Sequence, residues 1–256
     1  MSGVERVPVP ADHPVPGGRT NTYVVDDVLV DPAARCARLD ELTDIEHIVA
    51  THTHPDHVDG LAHYAERADA TVWAYAPYAE RFADATDVVP DRTYREGDTV
   101  GTLDVVATPG HAPDHVAFTV GDASLVGDCC RADGSIAITN EGDLRAFLTS
   151  LRRLYARDPA VLYPGHGDPI ERPRERLAAI VAHRRERERE VLAAVEAGAR
   201  TVSAIVDAVY DTNLGAYRDL AAATVRAHLD KLAVERRVTR EATPGGTRWC
   251  KTRSPP

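Results

Sequence analysis

Lysine is almost absent from this chain. Of its 30 basic residues only Lys231 and Lys251 are lysine; the rest are arginine. That bias, with abundant aspartate, points to a GC-rich or salt-adapted source and carries no mechanism. No apolar run approaches the ~20 residues of a membrane-spanning helix, so no membrane partner is expected. The opening Met1-Ser2-Gly3-Val4-Glu5-Arg6 has no basic flank leading into an apolar core. This argues against a secretory leader and for a cytoplasmic protein. The four cysteines, Cys36, Cys129, Cys130 and Cys250, match neither a disulfide framework nor a paired Cys-x-x-Cys zinc site. Buried reduced thiols are expected instead. There is also no Gly-x-Ser-x-Gly elbow, so nothing suggests a serine hydrolase of that kind.

At 256 residues and 43% hydrophobic, the chain can bury a full core and carry a second small domain. Its net charge of −10 divides unevenly: residues 1–170 carry −15 and residues 171–256 carry +5. An acidic body with a basic tail suggests two modules with different partners.

The rest of the chain is organised around Thr51-His52-Thr53-His54-Pro55-Asp56-His57-Val58-Asp59-Gly60. The apolar run Ile48-Val49-Ala50 just before it reads as a buried strand. The cluster therefore sits on a loop at a strand's C-terminal end, where α/β proteins place their chemistry. Neutral imidazole and carboxylate are ligands preferred by zinc and similar divalent ions.

In chain order, Pro8, Pro10, Pro14 and Pro16 open a loop-rich start with at most one edge strand. Residues 21–25 and 28–31 read as strands joined at Asp26-Asp27. Residues 33–42 read as a short helix, 45–50 as the strand feeding the histidine loop, and 60–68 as the helix leaving it. Strands follow at 71–74, 104–107, 116–120, 124–126 and 161–163. Helices follow at 77–83 and at 144–156, the latter with apolar residues at 144, 147, 148, 151 and 154. Three of these strands end in further candidate ligands, His111, Asp128 and His166, each with a nearby glycine that allows close backbone approach. His115 is read as a support of the site or a proton donor to a leaving group. Tyr163 is read as core or pocket lining, and Asp59 as a partner for a ligand imidazole or a solvated residue. His13, His47, His63, His183 and His228 have no ligand company and read as structural or exposed.

Beyond His166 the character changes. Residues 173–197 read as one long helix closed by Gly198, with the alternating Arg184–Glu190 segment solvated and ion-paired. Helices are expected at 201–210, 214–220 and 222–235. In the last, Val225, Leu229 and Leu232 face inward and Arg226, His228 and Lys231 outward. Strands at 237–240 and 247–250 flank Pro244-Gly245-Gly246. Three helices and a hairpin resemble a winged helix, whose third helix and wing touch the duplex in nucleic-acid-binding examples. Arg226, Lys231, Arg236, Arg237, Arg240 and Arg248 would suit phosphate contacts. The alternative is a packing or dimer element with the same architecture.

The ordered set His52-x-His54-x-Asp56-His57, His111, Asp128 and His166 resembles the ligand set of the metallo-β-lactamase-fold hydrolases over about residues 5–172. The resemblance implies an α/β fold: a four-layer αββα sandwich with a small C-terminal winged-helix-like domain. The expected limits are residues 1–172 for the catalytic domain, 173–198 for a connecting helix and 199–256 for the winged-helix-like domain. It implies two divalent metal ions, with His52, His54 and His111 on the first, Asp56, His57 and His166 on the second, and Asp128 between them. Asp56 and Asp128 are the expected catalytic carboxylates, orienting a metal-bridging hydroxide. Zinc is expected, although manganese and iron use the same ligands. True β-lactamases of the fold commonly carry a cysteine ligand near the fourth motif. Asp128 stands at that position here, followed by Cys129, which favours the glyoxalase-II and nuclease branches. The di-iron oxygen-reducing branch typically has Glu where this chain has His54. The Tyr163-Pro-Gly-His-Gly ending, the helix around His183–Glu188 and the terminal His228-Leu-x-Lys-Leu most resemble the β-lactamase-like protein 2 family.

Three functions fit. One is hydrolysis of a small acyl substrate, a thioester or lactone, in the glyoxalase-II manner. The second is cleavage of single-stranded RNA held by the basic tail. The third is a winged-helix regulator with a sensing hydrolase domain. The complete ligand set counts against the third, and the −15 body counts against RNA. The large nuclease insert is missing, since Asp128 and His166 are too close for another domain. A homodimer is left open.

Overall fold

The computed structural model describes residues 3–13, 15–139, 141–210, 214–244 and 246–252. Pro14 and Gly245, read above as loop and turn residues, lie outside that set, as do Met1 and Ser2.

A 6-stranded sheet runs in sequence order: β1 (Val4–Pro10), β2 (Arg19–Val25), β3 (Val28–Val30), β4 (His47–Val49), β5 (Thr71–Tyr75) and β6 (Arg92–Tyr94). Its first two pairings are antiparallel and the remaining three parallel. The 5-stranded second sheet is ordered β11-β10-β9-β8-β7. Its strands are β7 (Thr99–Val100), β8 (Leu103–Ala107), β9 (Val116–Val120), β10 (Ala123–Gly127) and β11 (Val161–Pro164). The helices before the C-terminal region are α1 (Ala37–Asp40), α2 (Pro55–Val58), α3 (Leu61–Ala68), α4 (Ala79–Thr86) and α5 (Leu144–Arg157). Then come α6 (Pro173–Glu196), α7 (Val202–Val209), α8 (Arg218–Val234) and the hairpin of β12 (Val238–Thr243) and β13 (Gly246–Lys251).

Strand periodicity sorts side chains into three layers. Successive residues of a strand face opposite sides. Tyr23, Val25, Val28, Val30 and Val49 of the first sheet meet Leu103, Val105, Val116, Phe118 and Leu125 of the second in the central core. The alternate residues Val24, Leu29 and Ile48 pack outward against Leu39, Leu61, Tyr64 and Phe82. On the other side Val106, Ala117 and Val126 pack against Phe147, Leu148 and Leu151 of α5 and Leu177 and Ile180 of α6. Each fully buried large apolar side chain contributes about 1.5–3 kcal/mol, and the layering is the αββα sandwich expected. Asp143 caps α5, its side chain accepting from the Arg145 and Ala146 amides.

The long α6 belongs to two cores. Leu177 and Ile180 lie in the sandwich, whereas Val191, Ala194 and Val195 join α7, α8, Val238 and Trp249 in a separate cluster. Four expectations need correction. β6 and β7 add to the expected strands, because Arg92–Tyr94 and Thr99–Val100 are too short to show a period. The histidine loop itself contains a helical turn, α2, begun by Pro55 at its first position. The helix expected at 214–220 is only a 3₁₀ turn, Gly215–Tyr217, running into α8. Finally, Arg184–Glu190 is not uniformly solvated, since the Arg184 side chain is buried.

Candidate metal centre

Four post-strand loops bring His52, His54, Asp56, His57, His111, Asp128 and His166 to one edge of the sandwich. His52, His54 and His111 form one group, and Asp56, His57 and His166 another; within each, the ligand atoms lie within 4.8 Å of one another. His54 Nδ1 is 3.0 Å from His52 Nε2 and 2.9 Å from His111 Nε2. His166 Nε2 is 3.2 Å from Asp56 Oδ2. Asp128 stands between the groups: Oδ2 is 3.5 Å from His111 Nε2, and Oδ1 is 3.5 Å from His166 Nε2 and 3.6 Å from His57 Nε2.

The outward nitrogen of every one of these imidazoles meets an oxygen. His111 Nδ1 donates to the Ala137 carbonyl and His166 Nδ1 to the Arg19 carbonyl, both at 2.9 Å. His57 Nδ1 donates to Asp31 Oδ2 at 2.9 Å. Thr51 Oγ1 donates to the same oxygen at 2.8 Å and accepts from His52 Nδ1 at 3.1 Å. His54 Nε2 donates to Glu141 Oε1. Holding one ring nitrogen as N–H leaves the other with its lone pair aimed into the site. Five imidazoles so oriented, beside two carboxylates, would form the donor set of a divalent metal site once a cation displaces the protons that the carboxylates favour on His57 and His166. Two of its atoms, His57 Nε2 and Asp128 Oδ1, are buried without any hydrogen-bond partner. Such atoms cost about 1–3 kcal/mol each when left unmatched, so the residues fit metal ions.

Two glycines make the approach feasible. A Cβ on Gly165 would lie 2.6 Å from His57 Cε1 and 2.8 Å from Asp128 Oδ1. Gly127, at φ +43°, would bring one to 2.5 Å from Thr51 Oγ1.

The electrostatics differ between the groups. Burial, reinforced by neighbouring imidazoles, keeps His52 far below its ordinary pKa, and burial likewise lowers His111. Burial also works against charge on His57, but Asp31, Asp128 and Asp56 outweigh it and push the ring up to about 9. His166 is raised in the same way, against burial, by Asp56 and Asp128. Burial would raise Asp56 and Asp128, yet the surrounding histidines hold both below the usual carboxylate range. The second group is therefore a point of negative potential, which suits a cation.

Residues 15–166 match the metallo-beta-lactamase superfamily. The chain belongs to that superfamily. Residues 201–249 match the beta-lactamase associated winged helix domain. A beta-lactamase-like protein 2 homolog of Drosophila melanogaster is 31% identical over 215 residues, 76% of this chain and 70% of that protein. The Caenorhabditis elegans homolog is 28% identical over 195 residues, 73% of this chain and 65% of its own length. A thioesterase of Emericella nidulans is 33% identical over 192 residues, 68% of this chain and 53% of that protein. The crystal structure of a metallo-beta-lactamase family protein from Thermus thermophilus aligns with a TM-score of 0.77 at 25% identity. It covers 97% of this chain and 98% of that one. The chain is thus a metallo-beta-lactamase superfamily hydrolase with an associated winged helix.

The remaining expectations divide. His115 is fully buried, pairs with Thr108 Oγ1 at 2.9 Å and accepts from the Asp128 amide at 3.1 Å. It holds the Asp128 backbone and has no N–H left for a leaving group. Asp59 pairs with His13 at 2.7 Å; the carboxylate behind a ligand imidazole is Asp31. Tyr163 is half-buried, edge-on to Tyr23 at 5.6 Å. Cys129 turns away, its thiol pushed up to about 12 by burial and its Sγ 3.8 Å from the Thr108 carbonyl. Residues missed in the sequence include Asp31, which like the ligands ends an apolar strand run and so carried a signal. Glu141 and Arg81 carried none.

In the C-terminal unit, Arg226, Arg236, Arg237, Arg240 and Arg248 are exposed. Lys231, expected to face outward, instead reaches Glu188 at 2.7 Å and Glu235 at 2.8 Å. His228 is fully buried rather than outward. A cleft of about 430 Å³ lies between α8 and the start of α5, lined by Thr139, Gly142, Arg145, Arg226 and Asp230 among others. Among the described residues no helix is long and apolar enough to cross a membrane.

Proposed function

We propose that the chain is a dinuclear, zinc-dependent hydrolase of a small acyl substrate, a thioester or a lactone. The observation that carries the reading is Asp128, whose two carboxylate oxygens each face a different histidine group. Two divalent ions bound there would supply a Lewis-acidic contact to a carbonyl oxygen and a water of lowered pKa. His52, His54 and His111 would hold one ion, Asp56, His57 and His166 the other, with Asp128 shared. Asp56 and Asp128 would offset the charge of such ions, and their carboxylates would accept hydrogen bonds from a water held there. Neither nearby candidate nucleophile among the described residues is activated: Cys129 is held as a thiol by burial, and the Thr51 hydroxyl is engaged by Asp31. Thioesterases among the relatives, at 28% and 33% identity, support an acyl substrate over a phosphodiester. So does the −15 charge of residues 1–170, which repels a polyanion.

A second reading, cleavage of single-stranded RNA, draws on the exposed Arg236, Arg240 and Arg248 beside and on the β12–β13 hairpin. One experiment separates the two. Zinc-loaded protein is assayed on a thioester and lactone panel and on labelled single-stranded RNA, with chelator and Asp128→Ala as controls. Acyl turnover lost in both controls supports the proposal; RNA cleavage with no acyl turnover replaces it with the second reading. Activity that survives Asp128→Ala at normal metal content sinks the site assignment.

A further inference from the structure

Five imidazoles face the centre, but their outer nitrogens are held with very different firmness. Asp31, which holds His57 directly and His52 through Thr51, is 1% exposed. His166 leans on the Arg19 carbonyl at the start of β2. The two supports of the first group besides Asp31 come from elsewhere, the irregular segment between β10 and α5. Ala137 of that segment accepts from His111, and Glu141 accepts from His54. The Glu141 side chain is 34% exposed.

Arginines pin this segment from both sides. On α6, Arg184 Nη2 donates to the Ile136 carbonyl, and Arg176 donates to the carbonyls of Arg131 and Gly134. On α4, Arg81 donates from Nη2 to Glu141 Oε2 at 2.8 Å and from Nε to Thr53 Oγ1 at 2.8 Å. Thr53, between the ligands His52 and His54, is tied in turn to Asp114 through its amide at 3.0 Å and its hydroxyl at 2.6 Å. Arg81 thus fixes both the carboxylate behind His54 and the side chain of Thr53 next to it, whose amide Asp114 holds.

We infer that Glu141, clamped by Arg81, is a positioning residue that sets the ring orientation and the donor nitrogen of His54, and so controls occupancy of the first metal position. The inference rests on the metal-site reading above. His54 differs from the other four rings in offering Nδ1 rather than Nε2 to the centre. An imidazole bound through Nδ1 must carry its proton on Nε2, and a carboxylate at Nε2 is the partner that selects that form. Without it the ring is free to rotate or to present the wrong tautomer. The second group, supported by Asp31 and by the sheet itself, does not depend on this segment.

The test is metal binding by the full chain, measured with zinc and with cobalt as the probe ions, in the parent, Glu141→Ala and Glu141→Gln. The glutamine amide would still offer an oxygen to the Nε2 proton. In the parent, two ions per chain are expected, with cobalt giving the absorption of a histidine-rich site. Glu141→Ala is expected to weaken one of the two binding steps about 10–100-fold, as loss of an outer partner does. The other step should stay within about threefold, and Glu141→Gln should recover most of the loss. Circular dichroism melts of the metal-free proteins should coincide, because Glu141 is not in the core. Both steps unchanged in Glu141→Ala would overturn the inference, as would equal weakening of both. A parent chain that binds no metal would instead overturn the site reading beneath it.

Discussion

Asp31 Oδ2 lies 2.9 Å from His57 Nδ1, and neither side chain reaches solvent. The same carboxylate accepts the Thr51 amide at 2.6 Å and the Thr51 hydroxyl at 2.8 Å. One buried residue therefore orients a candidate ligand in each group, His57 directly and His52 through Thr51. Asp31→Ala should cost at least about 2 kcal/mol of stability, because buried donors lose their acceptor. It should also reduce affinity at both metal positions by about 10–100-fold. Chemical denaturation of the metal-free chain and zinc titration check the two parts.

Gly165 lets the backbone pass close to His57 and Asp128. In Gly165→Ala the new Cβ would stand 2.6 Å from His57 Cε1. That is too close for either atom, so His57 or the Asp128 carboxylate must move. Hydrolytic turnover should fall more than tenfold, with the shift seen as an altered cobalt spectrum. Parent-like turnover would mean the loop yields without disturbing the ligands.

Arg184 is a buried charge held by the Ile136 carbonyl and packed 5.7 Å from the Phe147 ring, with its Nε unpaired. Burial pulls its pKa down to about 10. Removing a poorly compensated buried charge offsets the lost hydrogen bond. Arg184→Met should therefore change the melting temperature little. Amides of residues 132–139 should exchange faster with solvent, because the segment loses its anchor on α6. Unchanged exchange would show that Arg176 alone suffices.

Glu188 on α6 meets Lys231 of α8 at 2.7 Å and His228 at 3.9 Å. Although burial opposes it, His228 and Lys231 hold the Glu188 carboxyl below its ordinary range. A lowered folded-state pKa contributes stability above the unfolded carboxylate value, lost as pH falls through the folded value. Acid should therefore loosen α8 from α6 below about pH 4. Glu188→Gln should lower stability at pH 7 and flatten that acid dependence. Melting curves from pH 3 to 7, followed by Trp249 fluorescence in a Trp73→Phe background, read both effects.

Much of the molecule was legible in the chain because its signals are local. The apolar runs Tyr23-Val24-Val25 and Val105-Val106 marked strands, and the structure divides their alternate residues among three clusters. His52 to His57 are close in sequence, so their proximity needs no fold. Short strands such as Thr99–Val100 were not legible, since two residues hold no period. The burial of His228 and the pairing of Lys231 with Glu188 bring α8 against α6, and no helical count along α8 reveals on which side α6 lies.

The sequence by itself determined which residues could bind metal, that each follows a strand, and that a basic C-terminal unit follows an acidic body. These are properties of residue type and local period. Only the tertiary structure decided which oxygen stands behind each imidazole: Asp31, Thr51, Ala137, Arg19 and Glu141. Hydrogen bonds between residues as far apart as Arg19 and His166 arise from packing one sheet on the other, and they choose the nitrogen that each ring presents. That choice is made by geometry in three dimensions, and no spacing along the chain encodes it.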